Sequence, residues 1–288
     1  MENILQNVIE LVREAGKFIK EQNARVTAAD VELKGAHDYV TYVDKNTEKI
    51  LVDGLSCILP EAGFITEEGT SSVCGKKYNW IIDPLDGTTN FIHKVPFYCI
   101  SVGLEQVSDL QDNGGLQNVH AKSHLAVSGS QSNLVLGVIY HIDMDEMFYS
   151  CKGLPAYLNG TQIKVSNTPN LDRSLLATGF PYHDYERLGE YMKFLEYTML
   201  HSSGLRRLGS AALDLAYVAC GRCDVFYEYG LSAWDVAAGA FLVQQAGGRV
   251  SDFKGGTNFL HGREIIATNY NVYNEFLNSF TQFVPSKL

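Results

Sequence analysis

Residues 83–91, Asp-Pro-Leu-Asp-Gly-Thr-Thr-Asn-Phe, follow an apolar run and constrain the possible folds more than any other part of the chain. Because Pro84 has no backbone N–H to give to a neighbouring strand, we expect strand 78–82 to end there in a tight turn. Asp83 and Asp86 would then project together from the edge of a sheet.

The same nine residues carry groups that suit both a cation and an anion. Carboxylate oxygens are the ligands that hard cations such as Mg²⁺ take in proteins. The amides of Gly87, Thr88 and Thr89 would open a helix, and free N–H groups at a helix start attract phosphate. A plain turn is the alternative for the Asp-Gly pair alone. An EF-hand loop is excluded because its alternating oxygen ligands and its later glutamate are absent. Two residues between the aspartates, rather than one, argue against an aspartyl-phosphate phosphatase.

Length and charge limit the class of protein. A chain of 288 residues, 45% hydrophobic and 19% charged, can bury one large core or two closely packed subdomains. The net charge is −10, from 23 basic and 33 acidic residues, and no basic cluster is present. We therefore expect no nucleic acid as the main partner. An acidic protein that binds phosphate needs local positive charge, which a bound metal would supply.

The N-terminal segment, the lengths of the apolar runs and the distribution of the cysteines predict where the protein is located. The N-terminal segment lacks a basic region followed by a long apolar run, so no signal peptide is expected. No apolar run approaches the length of a membrane span. Six cysteines are scattered along the chain, which indicates reduced thiols and a cytoplasmic protein.

Hydrophobic spacing predicts helices and strands that interleave along one domain, 1–288, with an N-terminal half at 1–165 and a C-terminal half at 166–288. The class is therefore α/β or α+β. Residues 106–133 are rich in Ser, Gly, Asn, Gln and Asp and are predicted to form an exposed inserted loop. The predicted helices are 3–22, one opened by Thr41-x-x-Asp44-x-x-x-Glu48, 208–220, 233–246 and 270–282. The predicted strands are 31–34, 64–66, 78–82, 97–105, 134–142, 146–151, a short strand ending at Ser166, and 263–268.

Further acids stand at the predicted ends of these elements. Glu67 and Glu68 follow a strand, Asp44 is near a helix start, and Asp235 follows Trp234 at the opening of an alanine-rich helix. Taken singly, Asp44 and Asp235 could be acids that stabilise helix N-termini. Glu67 and Glu68 could be solvated charges of a loop.

Five spaced segments together resemble one known family. In order they are Val40-Thr41-x-x-Asp44, Ile65-x-Glu67-Glu68, residues 80–91, Gly209-Ser-Ala-Ala-Leu-Asp214 and Trp234-Asp-Val-Ala-Ala-Gly239. They resemble the inositol monophosphatase family of the lithium-sensitive, magnesium-dependent phosphatase superfamily, over about residues 5–280. The family usually has a short turn where this chain inserts roughly 25 residues. The resemblance implies a layered αβαβα sandwich of the inositol monophosphatase and fructose-1,6-bisphosphatase type, with two sheets meeting near a metal site. It also implies a homodimer that lithium and calcium inhibit.

The resemblance assigns metal ligands to matching positions. Glu67, Asp83 and the backbone carbonyl of Leu85 would hold a first Mg²⁺. Asp83, Asp86 and Asp235 would hold a second, with Asp83 bridging the two. Two or three Mg²⁺ ions are implied for each site, and their charge would make it able to accept a phosphate dianion.

It also assigns the reacting groups. A third, looser ion would rest near Glu67 and Asp44. Thr88 and Asp44 would orient the attacking water, and Glu67 is counted with them as catalytic. The amides of Gly87 and Thr88 would bind phosphate oxygens.

The leaving group would lie on the opposite side of the site. Ser210 and Ala211 would line the sugar side, and Glu228 would accept hydrogen bonds from substrate hydroxyls. Asp235 is counted with them as substrate-binding, and Asp214 could touch the polyol or its loop.

Hydrolysis of a phosphate monoester needs accelerations of up to ~10²¹, which a lone base, worth about 10²–10⁴, cannot supply. Paired metals can. The expected reaction is Mg²⁺-dependent hydrolysis of myo-inositol monophosphate by a metal-activated water, without a phosphoenzyme.

Other substrates are alternatives: phosphates of another polyol, a sugar, histidinol or lipid-linked inositol. Nucleotide substrates are less expected. A non-catalytic regulatory protein on the same fold is a further alternative, which the insertion permits.

Overall fold

A computed structural model describes residues 1–35, 38–71, 73–107, 133–181 and 184–284. Residues 108–132, most of the predicted insertion, lie outside the described residues. The helices are α1 (Glu2–Asn23), α2 (Tyr42–Ile58), α3 (Thr88–Ile92), α4 (Leu188–Leu200), α5 (Ala211–Ala219), α6 (Ala233–Gln245) and α7 (Tyr273–Phe283), with 3₁₀ turns at Ala28–Asp30 and Leu171–Arg173. The strands are β1 (Val31–Gly35), β2 (Asp38–Thr41), β3 (Gly63–Thr66), β4 (Tyr78–Asp86), β5 (Cys99–Gln106), β6 (Leu134–His141), β7 (Glu146–Cys151), β8 (Tyr157–Leu158), β9 (Thr161–Gln162), β10 (Leu175–Thr178), β11 (Gly204–Arg206), β12 (Val225–Tyr229), β13 (Arg249–Ser251) and β14 (Glu264–Thr268).

The strands form two large sheets and a small antiparallel β1–β2 ribbon. The seven-stranded sheet runs in the order β3 to β9, with β3 parallel to β4 and each later pair antiparallel. The five-stranded sheet has the order β11-β10-β12-β14-β13 and mixes parallel and antiparallel pairs. The seven-stranded sheet therefore pairs its strands in chain order, whereas the five-stranded sheet also pairs strands that are distant in sequence.

Side-chain alternation places helices on both faces of each sheet. In β4, Trp80 and Ile82 pack into the core formed with α1 and α2, whereas Ile81 packs towards α5 and α6. In β12, Phe226 faces the same α5–α6 layer, and Tyr227 faces α4 and α7. The order of layers is thus α1–α2, sheet, α5–α6, sheet, α4–α7. The predicted αβαβα sandwich is confirmed.

Strand β4 does not end at residue 82 as predicted. It continues to Asp86 and pairs with β5, but the register shifts between Asp83 and Asp86, which oppose Ser101 and Cys99. Pro84 lies inside this irregular stretch, and a bulge is a position where a strand tolerates a residue without an N–H. The expectation was wrong about where the strand ends, and the aspartates flank a bulge.

Other boundaries also differ from the prediction. The helix expected at 208–220 begins at Ala211, after its N-cap Ser210, and the strand expected to reach Ser166 consists only of Thr161–Gln162. Helix α5 ends at Ala219 with Cys220 as its C-cap, and the φ of 75° at Gly221 is typical of a glycine that follows a helix end. All six cysteines are free thiols. Among the described residues, none of the helices combines the length and apolar character needed to cross a bilayer.

Close packing of α6 on the seven-stranded sheet predicts a clear stability effect at Gly137. A Cβ added there would lie 2.7 Å from the carbonyl oxygen and 3.2 Å from the Cα of Ala238 in α6. We expect Gly137→Ala to lower the free energy of unfolding by about 1–3 kcal/mol, because backbone atoms must shift. Urea unfolding measures this change.

The matched control is Gly189→Ala near the start of α4, where an added Cβ meets no heavy atom within 4 Å. This change should raise the free energy of unfolding by about 0.5–1 kcal/mol, because alanine has less backbone freedom to lose. Equal effects of the two substitutions would contradict the packing that we describe for α6.

Candidate active site

The bulge of β4 and the first turn of α6 bring three aspartates together. Asp83 is buried, and its Oδ1 accepts a 3.0 Å hydrogen bond from the Leu85 amide. Asp235 is the third residue of α6, where its Oδ2 accepts a 2.6 Å hydrogen bond from the Ser232 amide. One carboxylate oxygen from each of Asp83, Asp86 and Asp235 lies within 4.8 Å of the other two. This spacing allows one cation to contact several of these oxygens.

Glu67 joins these aspartates from the neighbouring strand. Because β3 runs parallel to β4, both strands end at the same edge of the sheet. Glu67 follows β3, its N–H donates to the Ile82 carbonyl oxygen at 3.3 Å, and its side chain hydrogen-bonds with Asp83. The expected proximity of Glu67 to Asp83 is therefore present.

Burial and mutual repulsion disfavour negative charge on this group. The pKa of Asp83 is raised well above its usual value, first by burial and then by Glu67, Asp86 and Asp235. Burial and the Asp86 charge also raise the pKa of Asp235. Burial raises the pKa of Asp86 to about 6, against the opposing effect of hydrogen bonds and of Arg207. Oxygen donors that repel one another in this way fit a hard divalent cation, which would neutralise them.

Helix α5 is attached to the bulge through Asp86. The Asp86 Oδ2 accepts 2.7 Å hydrogen bonds from the Ser210 hydroxyl and from the Ala212 amide. The Ser210 hydroxyl also caps α5 by accepting a hydrogen bond from the Leu213 amide at 3.3 Å. The segment that begins at Gly209 therefore fixes one of the predicted metal ligands.

Thr88 and Asp44 form a hydrogen-bonded pair next to the aspartates. Gly87 has a φ of 95° and turns the chain into α3, which begins at Thr88. The Thr88 Oγ1 lies 3.0 Å from both the Asp44 Oδ1 and the Leu85 carbonyl oxygen. The Asp44 Oδ2 accepts hydrogen bonds from the amide and the hydroxyl of Thr41, at 2.9 and 2.6 Å. Asp44 is buried behind Thr88, in the first turn of α2.

The predicted site residues surround one cleft of ≈ 230 Å³. Except for Asp44, all of them line it, and their individual roles stay predictions. The predicted residues that line the cleft are Glu67, Asp83, Leu85, Asp86, Gly87, Thr88, Ser210, Ala211, Asp214, Glu228 and Asp235. The sequence did not indicate several other lining residues, among them Tyr39, Gly179, Phe180, Arg207 and Arg263.

Glu228 lies on the wall of the cleft that belongs to the five-stranded sheet. It is buried in β12, and burial raises its pKa to about 8, against the opposing effect of Arg207. A Cβ on Gly179 would lie 2.0 Å from the Glu228 carboxylate oxygens, so glycine at this position makes room for the carboxylate. This close approach could not be predicted from the sequence, because positions 179 and 228 are distant in the chain.

Two arginines bring positive charge to the cleft. Arg207 lowers the pKa of Asp86, Asp214 and Glu228, and Arg263 lowers that of Asp235, although burial keeps all four pKa values raised. The protein thus places cations beside the carboxylates even without a metal.

The raised pKa of Glu228 predicts how stability depends on pH in the metal-free protein. Between its ordinary pKa of 4.5 and its folded pKa of about 8, the unfolded chain has lost this proton while the folded chain keeps it. Raising the pH through this window should therefore lower the free energy of unfolding. Glu228→Gln should make thermal stability, measured with a chelator present, fall less steeply with pH than in the wild type.

Glu61→Gln is the control, because Glu61 is exposed and its loss should leave the slope of the wild type unchanged. An identical slope in the wild type and in Glu228→Gln would contradict a raised pKa of Glu228 in the folded protein.

The fold and the site together define a layered α/β protein with a cluster of carboxylates at a cleft between two sheets. The inositol monophosphatase family model matches residues 1–108 and 124–285. The chain belongs to the inositol monophosphatase family. The family is in general metal-dependent, which agrees with the carboxylate cluster. The unmatched stretch, 109–123, lies within the predicted insertion.

Individual relatives carry two kinds of name. The chain is 38% identical to "Nus factor SuhB" of Pseudomonas aeruginosa, over 100% of this chain and 99% of that protein. It is 37% identical to "Inositol-1-monophosphatase" of Mesorhizobium japonicum, over 92% of this chain and 91% of that protein. The structure of the extragenic suppressor protein suhB from Bartonella henselae is similar, with a TM-score of 0.84 and 35% identity over 97% of this chain and 99% of that one.

Proposed function

We propose that this protein is a Mg²⁺-dependent phosphatase that hydrolyses a small polyol phosphate, with myo-inositol monophosphate as the preferred substrate. The convergence of Asp83, Asp86 and Asp235 within 4.8 Å, next to the Thr88–Asp44 pair, is the observation that carries the proposal. The name of the Mesorhizobium relative supports the same substrate.

Five ligands would hold the metal. Glu67, Asp83 and the Leu85 carbonyl oxygen would take one Mg²⁺, and Asp83, Asp86 and Asp235 a second. Bound divalent cations would supply Lewis acidity, which lowers the pKa of water and stabilises a leaving oxygen. A third, looser ion would use Glu67 and lie near Asp44.

Thr88 orients the nucleophilic water in this proposal. Its hydroxyl hydrogen is directed to oxygen acceptors behind it, the Asp44 Oδ1 and the Leu85 carbonyl, each at 3.0 Å. A lone pair of the Thr88 Oγ1 is then available to accept a hydrogen bond from water in the cleft. As the water attacks phosphorus, its proton can pass to Thr88 while the Thr88 proton passes to Asp44. The ester P–O bond breaks, and the alcohol oxygen leaves with its electron pair and takes a proton from solvent water. The amides of Gly87 and Thr88 would hold the phosphate oxygens.

The opposite wall selects the alcohol. Glu228, when ionised, accepts hydrogen bonds from vicinal hydroxyls of a polyol, and Ser210 and Ala211 form the neighbouring surface. Arg207 favours the ionised form of Glu228 and lies in the same cleft. A hydroxyl-rich leaving group matches these acceptors better than an apolar one, because buried carboxylates need hydrogen-bond donors.

Release of inorganic phosphate from a panel of esters tests this function. Inositol 1-phosphate should be hydrolysed in the presence of Mg²⁺, and lithium and calcium should inhibit. Histidinol phosphate, sugar phosphates and lipid-linked inositol phosphate are the comparison substrates. Activity confined to bisphosphorylated nucleotides would contradict the inositol assignment.

A second candidate is a regulatory protein on the same fold, favoured by the name "Nus factor SuhB" of a relative that is 38% identical. Absence of Mg²⁺-dependent phosphate release from every ester in the panel would support it. We also propose a homodimer located in the cytoplasm, and light scattering of the full chain measures the mass.

A further inference from the structure

Glu48 is a buried carboxylate of α2 that none of the proposed steps uses. It lies one helical turn after Asp44 and is 0% exposed. Its Oε2 accepts a hydrogen bond from the Glu68 amide and its Oε1 accepts one from the Thr70 amide, both at 2.7 Å. Both oxygens of one side chain therefore bind the backbone of a single turn.

That turn follows β3, and its backbone directs the Glu68 and Thr70 amides towards the Glu48 carboxylate. Gly69, between the two donors, has a φ of 75°, and a left-handed residue helps to direct neighbouring N–H groups to one side. The Thr66 hydroxyl donates to the Ser71 carbonyl oxygen at 3.3 Å and bridges the two ends of the turn. Hydrogen bonds from N–H groups to a carboxylate are stronger than those between neutral groups.

Glu67 is the first residue of this turn, and two successive backbone N–H groups, its own and that of Glu68, fix its position through hydrogen bonds. Its own N–H donates to the Ile82 carbonyl oxygen of β4, and the next N–H along the chain donates to Glu48. Its side chain hydrogen-bonds with Asp83 and lines the cleft. The place of the Glu67 carboxylate thus depends on Glu48 as well as on the sheet.

We propose that Glu48 is a positioning residue that sets the affinity for the divalent cation held by Glu67 and Asp83. This inference rests on the proposed metal-dependent function. Groups that orient a metal ligand typically change metal affinity by about 10–100-fold when they are replaced. Since α2 also carries Asp44, which contacts Thr88, one helix would align both the cation and the nucleophile.

Calorimetric titration of the full chain with Mg²⁺ tests the role of Glu48. Glu48→Gln keeps the size of the side chain but replaces one acceptor oxygen with an NH₂ group, so one of the two amides loses its partner. Glu48→Asp keeps the charge but is too short to reach both amides. We expect both variants to bind Mg²⁺ about 10–100-fold more weakly than the wild type. At saturating Mg²⁺, kcat should return to within a few-fold of the wild-type value.

Asp53→Asn is the matched control, because Asp53 is an exposed carboxylate on the same helix. It should leave Mg²⁺ affinity unchanged. Hydrogen exchange gives a second readout that needs no metal: the Glu68 and Thr70 amides should be protected in the wild type and should exchange faster in Glu48→Gln.

The outcomes separate this inference from the proposed function. If the wild type binds no Mg²⁺, the proposed function is contradicted. If the wild type binds Mg²⁺ and both Glu48 variants bind it equally well, the inference is overturned, even when the variants are less stable. If neither variant folds, exchange in the wild type decides, and unprotected Glu68 and Thr70 amides would overturn it.

Discussion

Asp83→Asn should abolish phosphate release while making the metal-free protein more stable. Asp83 is the aspartate that both proposed Mg²⁺ ions share, so its replacement removes a ligand from each. Orienting groups around a metal cost about 10–100-fold, so the loss of a bridging ligand should lower kcat by at least about 100-fold. The opposite effect on stability follows from the raised pKa of Asp83, because the neutral amide removes a carboxylate that burial and three neighbouring acids disfavour.

Two measurements on the same variant check both effects. Phosphate release with saturating Mg²⁺ gives the change in kcat, and thermal unfolding with a chelator gives the change in stability. Asp172→Asn, an exposed aspartate, should alter neither quantity. Retention of more than a tenth of the wild-type activity would refute the bridging role, and a large loss of metal-free stability would indicate misfolding instead.

Thr88→Val should lower kcat by about 10²-fold or more, the lower end of what proton transfer by a positioned side chain contributes. Valine has nearly the shape of threonine but cannot donate to Asp44 or accept from water. The α3 backbone should persist, because α3 begins at a glycine N-cap without a side-chain cap. KM for the substrate should change little if the phosphate is held by amides.

Thr88→Ser is the control, since serine keeps the hydroxyl and should retain most of the activity. Asp44→Asn offers an independent check on the same pair, because it removes the carboxylate that accepts the Thr88 hydrogen. Unchanged kcat in Thr88→Val would show that this pair plays no part in the reaction.

Local rules predicted the elements that carry strong signals of their own. The helix that Thr41-x-x-Asp44 opens, the helix predicted from residue 233 and the helix start after Gly87 all occur as predicted. The rule for Pro84 failed because pairing with β5 continues past the proline through a bulge. Long-range pairing in this case outweighed a local preference.

Several elements of the C-terminal half were not predicted. The strands β10 and β12 have only four and five residues, and short apolar runs of this kind have no distinctive period. Helix α4 was also missed, because three large hydrophobic residues, Met192, Met199 and Leu200, lie exposed on it and blur its apolar stripe. Hydrophobic spacing along the chain likewise could not predict that Asp235 lies close to Asp83, and only the family resemblance predicted this proximity.

The middle helical layer has a consequence for folding. Sheet residues Asp83 and Asp86 come from the N-terminal half, whereas Asp235 comes from α6, and α5 holds Asp86 through Ser210. A chain in which only one half has folded therefore lacks some of the proposed Mg²⁺ ligands, and Mg²⁺ should bind only after both halves have docked. Since a ligand that binds only the native state stabilises it by mass action, the ion would penalise partly unfolded species and sharpen the cooperativity of the transition.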